Sequence, residues 1–435
     1  MFMINFKKYP NCTRISIPNA IQTKSSIRNG FCNMNNLKRL YIAENAFAND
    51  QYIGGWGDGL CMNCYNLIGK AWCGKNTTSM SNAYKNCHNL VKAVCGDNVT
   101  TMDCTYDGCS NLRIPVCGPN VTNMNYTYSD CTNLTIAVCG ENVDYLHGTY
   151  YGCTNITTAV CGEKVTDFAA AYSGCTNLTK AVCGNNVVWW PEAYKGCTNL
   201  TTAVCGPKAN NMTNVYYDCI NLTGEAACGP NVTTMTNAYK DCHNLTTAAC
   251  GDNVVDMYFA YRNCYNLTSA ACGPNVDRMW CSYHNCISLT MPACSNSVTN
   301  MIGTYSGCTN LTTAIFGPNV NIIGSDSNFF SFSVRDLGTY GNCYNVRGNT
   351  YLYTNDIKEV RYCFGGRNTM NILNIYVPAS STTLNSCLKT NELSLIGANI
   401  TWTNDSTNNR YYNTSANIYI YPVSNVEQAK IDNGN

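Results

Sequence analysis

Histidine is almost missing from this chain, with 4 residues in 435. His88 and His243 fall at equivalent places but seven repeats apart, and no H-E-x-x-H or Ser-His-Asp set is formed. Charge is scarce as well, at 12 % of residues against the roughly 25 % usual in soluble domains. With 27 Lys+Arg balancing 26 Asp+Glu, the net charge of +1 supplies no long-range pull toward nucleic acid or an anionic membrane, so no nucleic-acid partner is expected. No apolar run approaches the roughly 18 residues of a membrane span, and no membrane insertion is expected. The opening MFMINFKKYPNCTRISIPNA lacks the apolar centre of a signal peptide, and VEQAKIDNGN shows no hydrophobic tail. The sequence therefore predicts folding in reducing cytosol with free thiols, export by lysis or a non-classical route being left as an alternative. No G-x-G-x-x-G or P-loop opens a helix, and no cofactor is expected. Disorder is excluded because the apolar fraction is an ordinary 45 %.

What the chain has instead is a period. Cysteines recur at 64, 87, 109, 131, 153, 175, 197, 219, 242, 264, 286 and 308, a step of 22 lengthened twice to 23. A second series runs from Cys73 to Cys294 with the same step, and Phe316 takes its next place. Both long steps come from an extra residue between the two cysteines of a unit, which a small bulge absorbs. Such a period signals a solenoid whose coils stabilise one another as nearest neighbours. With the first cysteine at position 0, apolar residues fall at 3 (Leu178), 6 (Ala181), 8 (Cys183), 12 (Val187), 15 (Trp190, elsewhere mostly Met), 18 (Ala193) and 19 (Tyr194). These are read as inward, which places two dry thiol columns in the core. Positions 3 to 8 read as a short strand and 12 to 19 as a second extended or turn-like arm, with a corner at the glycine of position 9. Position 21 is only Gly, Asp or Asn, so a left-handed turn is expected in every coil.

The unit from Cys131 to Cys153 resembles the BspA-type leucine-rich repeat of bacterial surface proteins, whose units read C-x-x-L-x-x-V-x-I-P-x-x-V-x-x-I-x-x-x-A-F-x-x-C. Cys replaces Ile at position 8, Met replaces Ile at 15 and Tyr replaces Phe at 19. The resemblance covers about 60 to 323, with a degenerate unit at 31 to 47. It implies a mainly β leucine-rich-repeat solenoid of 22-residue coils, capped at both ends by irregular β-rich segments. It also implies an adhesion or recognition scaffold, and similar repeats occur in phage of gut bacteria. The organisation read from the chain is an N-terminal cap with a degenerate repeat (1–60), the solenoid (61–323), an irregular repeat with an insertion (324–348) and a C-terminal β-rich cap (349–435). Caps are needed because bare terminal coils aggregate. In the last segment ILNIYVP and ANIYIYPV read as strands.

Regular thiols suggest metal ligands, but a position that accepts Phe316 is not a ligand ladder, so neither metal nor iron–sulfur cluster is expected. Asp218 and Asp241, one coil apart at position 21, have the spacing of a retaining glycosidase pair, yet their alternation with Gly and Asn marks a conformational role. The repeated N-x-[ST] triplets read as an asparagine ladder rather than glycan sites, and the tyrosines of position 19 as a stacked column. The expected protein is not an enzyme. Variation is concentrated at positions 13, 14, 16 and 17, where Tyr126, Tyr145, His147, Trp189, Tyr258, Phe259 and Trp280 stand among small polar residues. These are the candidate ligand-binding residues, suited to a host-surface glycan or protein. At position 7, Val116, Val138, Val160, Val182 and Val204 form an apolar stripe, the candidate contact for a second subunit or another virion protein. The expected context is a virion appendage, a tail or head fibre, forming a homo-oligomer, with a cell-surface adhesin or a purely structural virion component as alternatives.

Overall fold

The computed structural model describes residues 9–17, 29–43, 46, 52–55, 57–325, 337–341, 343, 345–353, 363–364, 372–380, 402–414 and 417–433. The chain divides into two compact units, Met1–Ala209 and Asn210–Asn435.

In the first unit, β1 (Arg14–Ile17) and β2 (Arg39–Ile42) pair in parallel and bury Ile15, Ile17 and Ile42. The Ile68 N–H donates to the Lys38 carbonyl at 2.9 Å and carries the stacking into the first full coil. A hairpin of β3 (Gly54–Gly55) and β4 (Asp58–Gly59) precedes it. Beyond β5 (Gly69–Lys70) and β6 (Leu90–Lys92), the coils join through single parallel bridges along two lines. One follows position 5, as in Thr158, Lys180 and Thr202; the other follows position 14, from Ser79 through Thr101, Asn123, Tyr145 and Asp167 to Trp189. The expected strand of positions 3 to 8 is thus reduced to one or two paired residues, and the second arm takes its turn-like form beyond the position-14 bridge.

Tyrosine is the reason. Each position-19 side chain crosses the interior of its own coil, and its hydroxyl takes both backbone groups of position 7. The Tyr106 hydroxyl accepts from the Val94 N–H at 2.9 Å and donates to the Val94 carbonyl at 2.7 Å. Tyr128 serves Val116 and Tyr150 serves Val138 in the same way. A backbone satisfied from inside needs no partner in the next coil. The rings stack from coil to coil with centroids 5.3–5.9 Å apart from Tyr84 to Tyr194, each pair adding about 0.5–1.5 kcal/mol beyond its buried area.

The position-0 cysteines are fully buried and act as donors. The thiols of Cys109, Cys131, Cys153, Cys175 and Cys197 donate to the carbonyls of Tyr84, Tyr106, Tyr128, Tyr150 and Tyr172 at 2.9–3.1 Å. Those carbonyls already accept a backbone N–H, so the thiol fills the second lone pair. Threonine at position 18 does the same for position 15, as Thr127 Oγ1 does for the Met102 carbonyl at 2.9 Å. The second thiol column is not dry. Cys73, Cys95, Cys117, Cys139, Cys161 and Cys183 are half-buried, because they sit at the corner where the chain leaves the core. Their sulfurs rest on the position-9 glycine of the next coil: a Cβ on Gly118 would lie 2.8 Å from Cys95 Sγ and 2.9 Å from the Gly96 carbonyl oxygen. Close approach, as well as the corner, therefore requires that glycine. Every cysteine among the described residues is a free thiol.

The second unit repeats this plan. Position-14 bridges run from Asn211 through Thr234, Asp256, Arg278 and Asn300 to Ile322, and position-5 bridges join Thr247, Ser269 and Met291. The strands β7 (Gly224–Glu225) and β8 (Leu245–Thr247) pair in parallel, and Tyr239, Tyr261, Tyr283, Tyr305 and Tyr340 hold the backbone of Ala227, Ala249, Ala271, Ala293 and Ile315. The insertion begins as a hairpin of β9 (Gly324–Ser325) and β10 (Leu337–Gly338); residues 326–336 lie outside the described residues. Next, β11 (Gly348–Tyr351) pairs in parallel with β12 (Leu373–Pro378), and β12 with β15 (Ile418–Val423). β14 (Arg410–Asn413) and β13 (Thr403–Asp405) complete a five-stranded sheet in antiparallel sense. The two strands expected from ILNIYVP and ANIYIYPV are β12 and β15. A short helix α1 (Val426–Asp432), with Asn425 Oδ1 accepting from the Gln428 N–H at 3.1 Å, follows.

All the position-21 residues take the left-handed backbone, including Asp130 (φ 55°), Asp218 (φ 64°) and Asp241 (φ 63°). The two aspartates are turn formers, and Asp241 Oδ1 accepts from Asn263 Nδ2 at 2.6 Å. The position-2 asparagines form a side-chain ladder, Asn111 to Asn89 at 3.0 Å and Asn133 to Asn111 at 3.1 Å.

Two outcomes follow. Tyr150→Phe keeps the stacked ring but strands both backbone groups of Val138, and urea denaturation is expected to show a loss of about 1–3 kcal/mol; an unchanged midpoint would remove the hydroxyl from this role. Burial pushes the position-0 thiols and column phenols well above their ordinary values, and the half-buried Cys95 and Cys161 up to about 12. The folded chain then keeps protons that the unfolded chain releases, so stability falls as pH rises past the ordinary thiol value of 9.0. Melting temperature is expected to be flat to about pH 8 and to drop steadily above about pH 9.

Candidate functional site

The candidate residues stand on the outer turn formed by positions 14 to 17. Its backbone is fixed by the next coil and, in several coils, by an Asn or Asp at position 14 that accepts from the position-16 N–H. The position-17 N–H donates to the position-16 carbonyl of the next coil, as Tyr126 does to His147 and Gly148 to Ala169, both at 2.8 Å. Position 17 itself is left-handed throughout: Cys104 (φ 51°), Tyr126 (φ 48°), Gly148 (φ 57°), Ala170 (φ 50°) and Glu192 (φ 60°) in the first unit, and Asn214 (φ 57°), Asn237 (φ 52°), Phe259 (φ 53°), Cys281 (φ 49°) and Gly303 (φ 61°) in the second. The sequence reading identified position 21 and missed this one, because Cys, Tyr and Phe carry no left-handed signature. The Asn214, Asn237, Gly148 and Gly303 of the same column are the signal that was there to find.

In the first unit, Tyr126, Tyr145 and Trp189 are 39 %, 44 % and 46 % exposed and His147 is half-buried. The Tyr126 ring lies across Gly148, where a Cβ would come within 2.4 Å of its Cε1, and its centroid is 5.1 Å from that of His147. His147 Nδ1 is 3.6 Å from Asp167 Oδ2, while Asp167 Oδ1 accepts from the Ala169 N–H at 3.0 Å. Burial, with Cys104 and Asp167 adding to it, raises the Tyr126 phenol. Tyr126, His147 and Asp167 are thus one contact chain. Tyr145 and Trp189 share the position-14 line with Asp167 between them.

In the second unit, Tyr258 and Trp280 meet edge to face with centroids 5.6 Å apart at 76°. The Arg278 guanidinium lies 5.4 Å from the Tyr258 ring centre and 2.6 Å from Asp256 Oδ1. Phe259 instead faces Arg262 at 5.6 Å. Burial and the Arg262 charge hold His284 down to about 4, so it is neutral. Asp167, Asp256, Arg262 and Arg278 were absent from the sequence-level candidates; they emerge only when residues 22 apart are read as columns. His88 lies tilted against Tyr65 at 5.1 Å and His243 stacks on Tyr265 at 4.6 Å, each within its own unit. The stripe of Val116, Val138, Val160, Val182 and Val204 is half-buried, whereas Ile114 and Ile136 at position 5 are 53 % and 51 % exposed. Among the described residues, no three His, Cys, Asp or Glu side chains are placed to hold a metal ion, and no helix is long and apolar enough to cross a membrane.

The profile of the BspA-type leucine-rich repeat region matches residues 77–201, 124–246 and 233–358. The chain belongs to the BspA-type leucine-rich-repeat family. A leucine-rich repeat protein from Bacteroides ovatus is 15 % identical, with a TM-score of 0.51 over 86 % of this chain and 88 % of that one. A leucine rich cell surface protein from Faecalibacterium prausnitzii is also 15 % identical, with a TM-score of 0.40 over 89 % and 92 %. No curated protein matches the sequence.

Tyr126→Asn places a residue tolerant of φ 48° at a half-exposed site, and chemical denaturation is expected to show a gain or a change within about 0.5 kcal/mol. Tyr128→Asn, two residues on and fully buried, is expected to lose more than about 3 kcal/mol.

Proposed function

We propose that this BspA-type protein is a non-catalytic recognition protein that binds a host-surface glycan or protein through its outer turns. The observation that carries this reading is the placing of Tyr126 and Phe259 at a left-handed position. A bulky aromatic there costs about 1–3 kcal/mol of local strain that Gly148 and Gly303 avoid in other coils. Stability therefore does not account for those rings, and partial exposure beside carboxylates and guanidinium groups suits them to a ligand. The family supports association with a surface. A virion appendage belongs to this proposal, and a bacterial surface adhesin fits the same turns. Self-association through the half-buried valine stripe belongs to this proposal.

Trp189→Ala and Trp280→Ala, tested separately, are expected to weaken binding of the labelled protein to its host cells by about tenfold or more. Binding equal to that of the unaltered protein in both variants would reject these turns as the contact surface.

A further inference from the structure

The position-14 line of the first unit holds an aromatic, an acid and an aromatic in three successive coils. Tyr145 bridges Asp167, and Asp167 bridges Trp189, in parallel register. Adjacent parallel strands lie about 4.8 Å apart, so the Tyr145 and Trp189 backbones are about 10 Å apart. Both rings leave the same register position and are 44 % and 46 % exposed. Between them, one Asp167 oxygen is fixed by the Ala169 N–H at 3.0 Å, and the other faces His147 at 3.6 Å. Asp167 is half-buried, so this carboxylate is oriented and still reachable.

We propose that this line binds a linear, neutral β-1,4-linked polysaccharide laid along the direction of coil stacking; the inference rests on the recognition reading above and narrows its ligand. Equatorially linked pyranoses advance by about one coil spacing per sugar. Successive sugars of a β-1,4 chain are turned over relative to each other, so every second sugar shows the protein the same face. Aromatic platforms in alternate coils match that alternation. Tyr145 and Trp189 stack on the C–H faces of sugars one and three. The Asp167 carboxylate accepts from hydroxyl groups of sugar two, a charge-assisted hydrogen bond, with His147 beside it. The Asp167 carboxylate selects against anionic polysaccharides. An α-1,4 chain curves away from a straight line of this kind and loses the second platform.

The test is calorimetric titration of the full chain with cellohexaose, cellobiose and maltohexaose. Cellohexaose is expected to bind, cellobiose about tenfold more weakly because it cannot span two platforms, and maltohexaose not measurably. Trp189→Ala and Tyr145→Ala are each expected to weaken cellohexaose binding by about tenfold, equivalent to about 1.4 kcal/mol, while Trp189→Phe keeps most of it and the circular dichroism is unchanged. Ile114→Ala, on the position-5 line of the same unit, is expected to leave cellohexaose binding unchanged. Absence of cellohexaose binding, equal binding of maltohexaose, or indifference to both aromatic variants overturns the proposal. If Trp189→Ala or Trp280→Ala still weakens host-cell binding in that case, the turns recognise a different ligand and the broader reading stands; if neither does, both fall.

Discussion

The fold depends on one hydroxyl per coil. In most β architectures the backbone N–H and C=O groups find their partners in the adjacent strand, and strand length follows from that pairing. Here the position-19 phenol satisfies the position-7 backbone from within, as Tyr150 does for Val138. Each coil can then bend sharply on both sides of a one-residue bridge without leaving a buried polar group unpaired. A phenylalanine column, as in the related repeats, would stack equally well but would leave those groups to be satisfied elsewhere. The same logic runs through the thiol of position 0 and the hydroxyl of position 18, which take second lone pairs of carbonyls in neighbouring coils. Burial keeps the thiols and phenols protonated, so donors remain donors.

This division of labour frees the outer turn. Because its backbone is held mainly by bonds from position 17 to position 16 of the next coil, with Asn or Asp at position 14 capping the position-16 N–H in several coils, side chains at 16 and 17 are free to vary. They differ from coil to coil while the interior does not. The Tyr126, His147 and Asp167 chain and the Tyr258, Trp280 and Arg278 cluster are two outcomes of that freedom, one aromatic and acidic, the other aromatic and cationic.

Much of the architecture was legible in the sequence. The period, the buried Leu, Val, Met and Tyr columns, the left-handed position 21 and the strands β12 and β15 are all fixed by residue type and spacing. Three features were not. Apolar spacing does not say on which side of a corner a residue falls, so Cys95 and its column were read as dry when they are half-buried. Strand length was overestimated because side-chain capping by tyrosine imitates a strand pattern without a strand's pairing. The left-handed position 17 was hidden because tertiary hydrogen bonds, rather than the preferences of Cys104 or Phe259, impose it. At the candidate site the aromatic residues were identified individually. Their partners were not, since Asp167 and Arg278 matter only in relation to residues a full coil away.

Each internal coil within a unit offers its neighbours the same set of donors, acceptors and rings that it asks of them. Removing or duplicating one whole 22-residue segment would therefore reconnect every bond in the same pattern. Tandem repeats in a gene gain and lose copies readily, so a lineage carrying this fold can lengthen, shorten or shuffle its display of turns in a single genetic event and still produce a folded product. Variety at the outer turns then costs no renewed search for a stable interior.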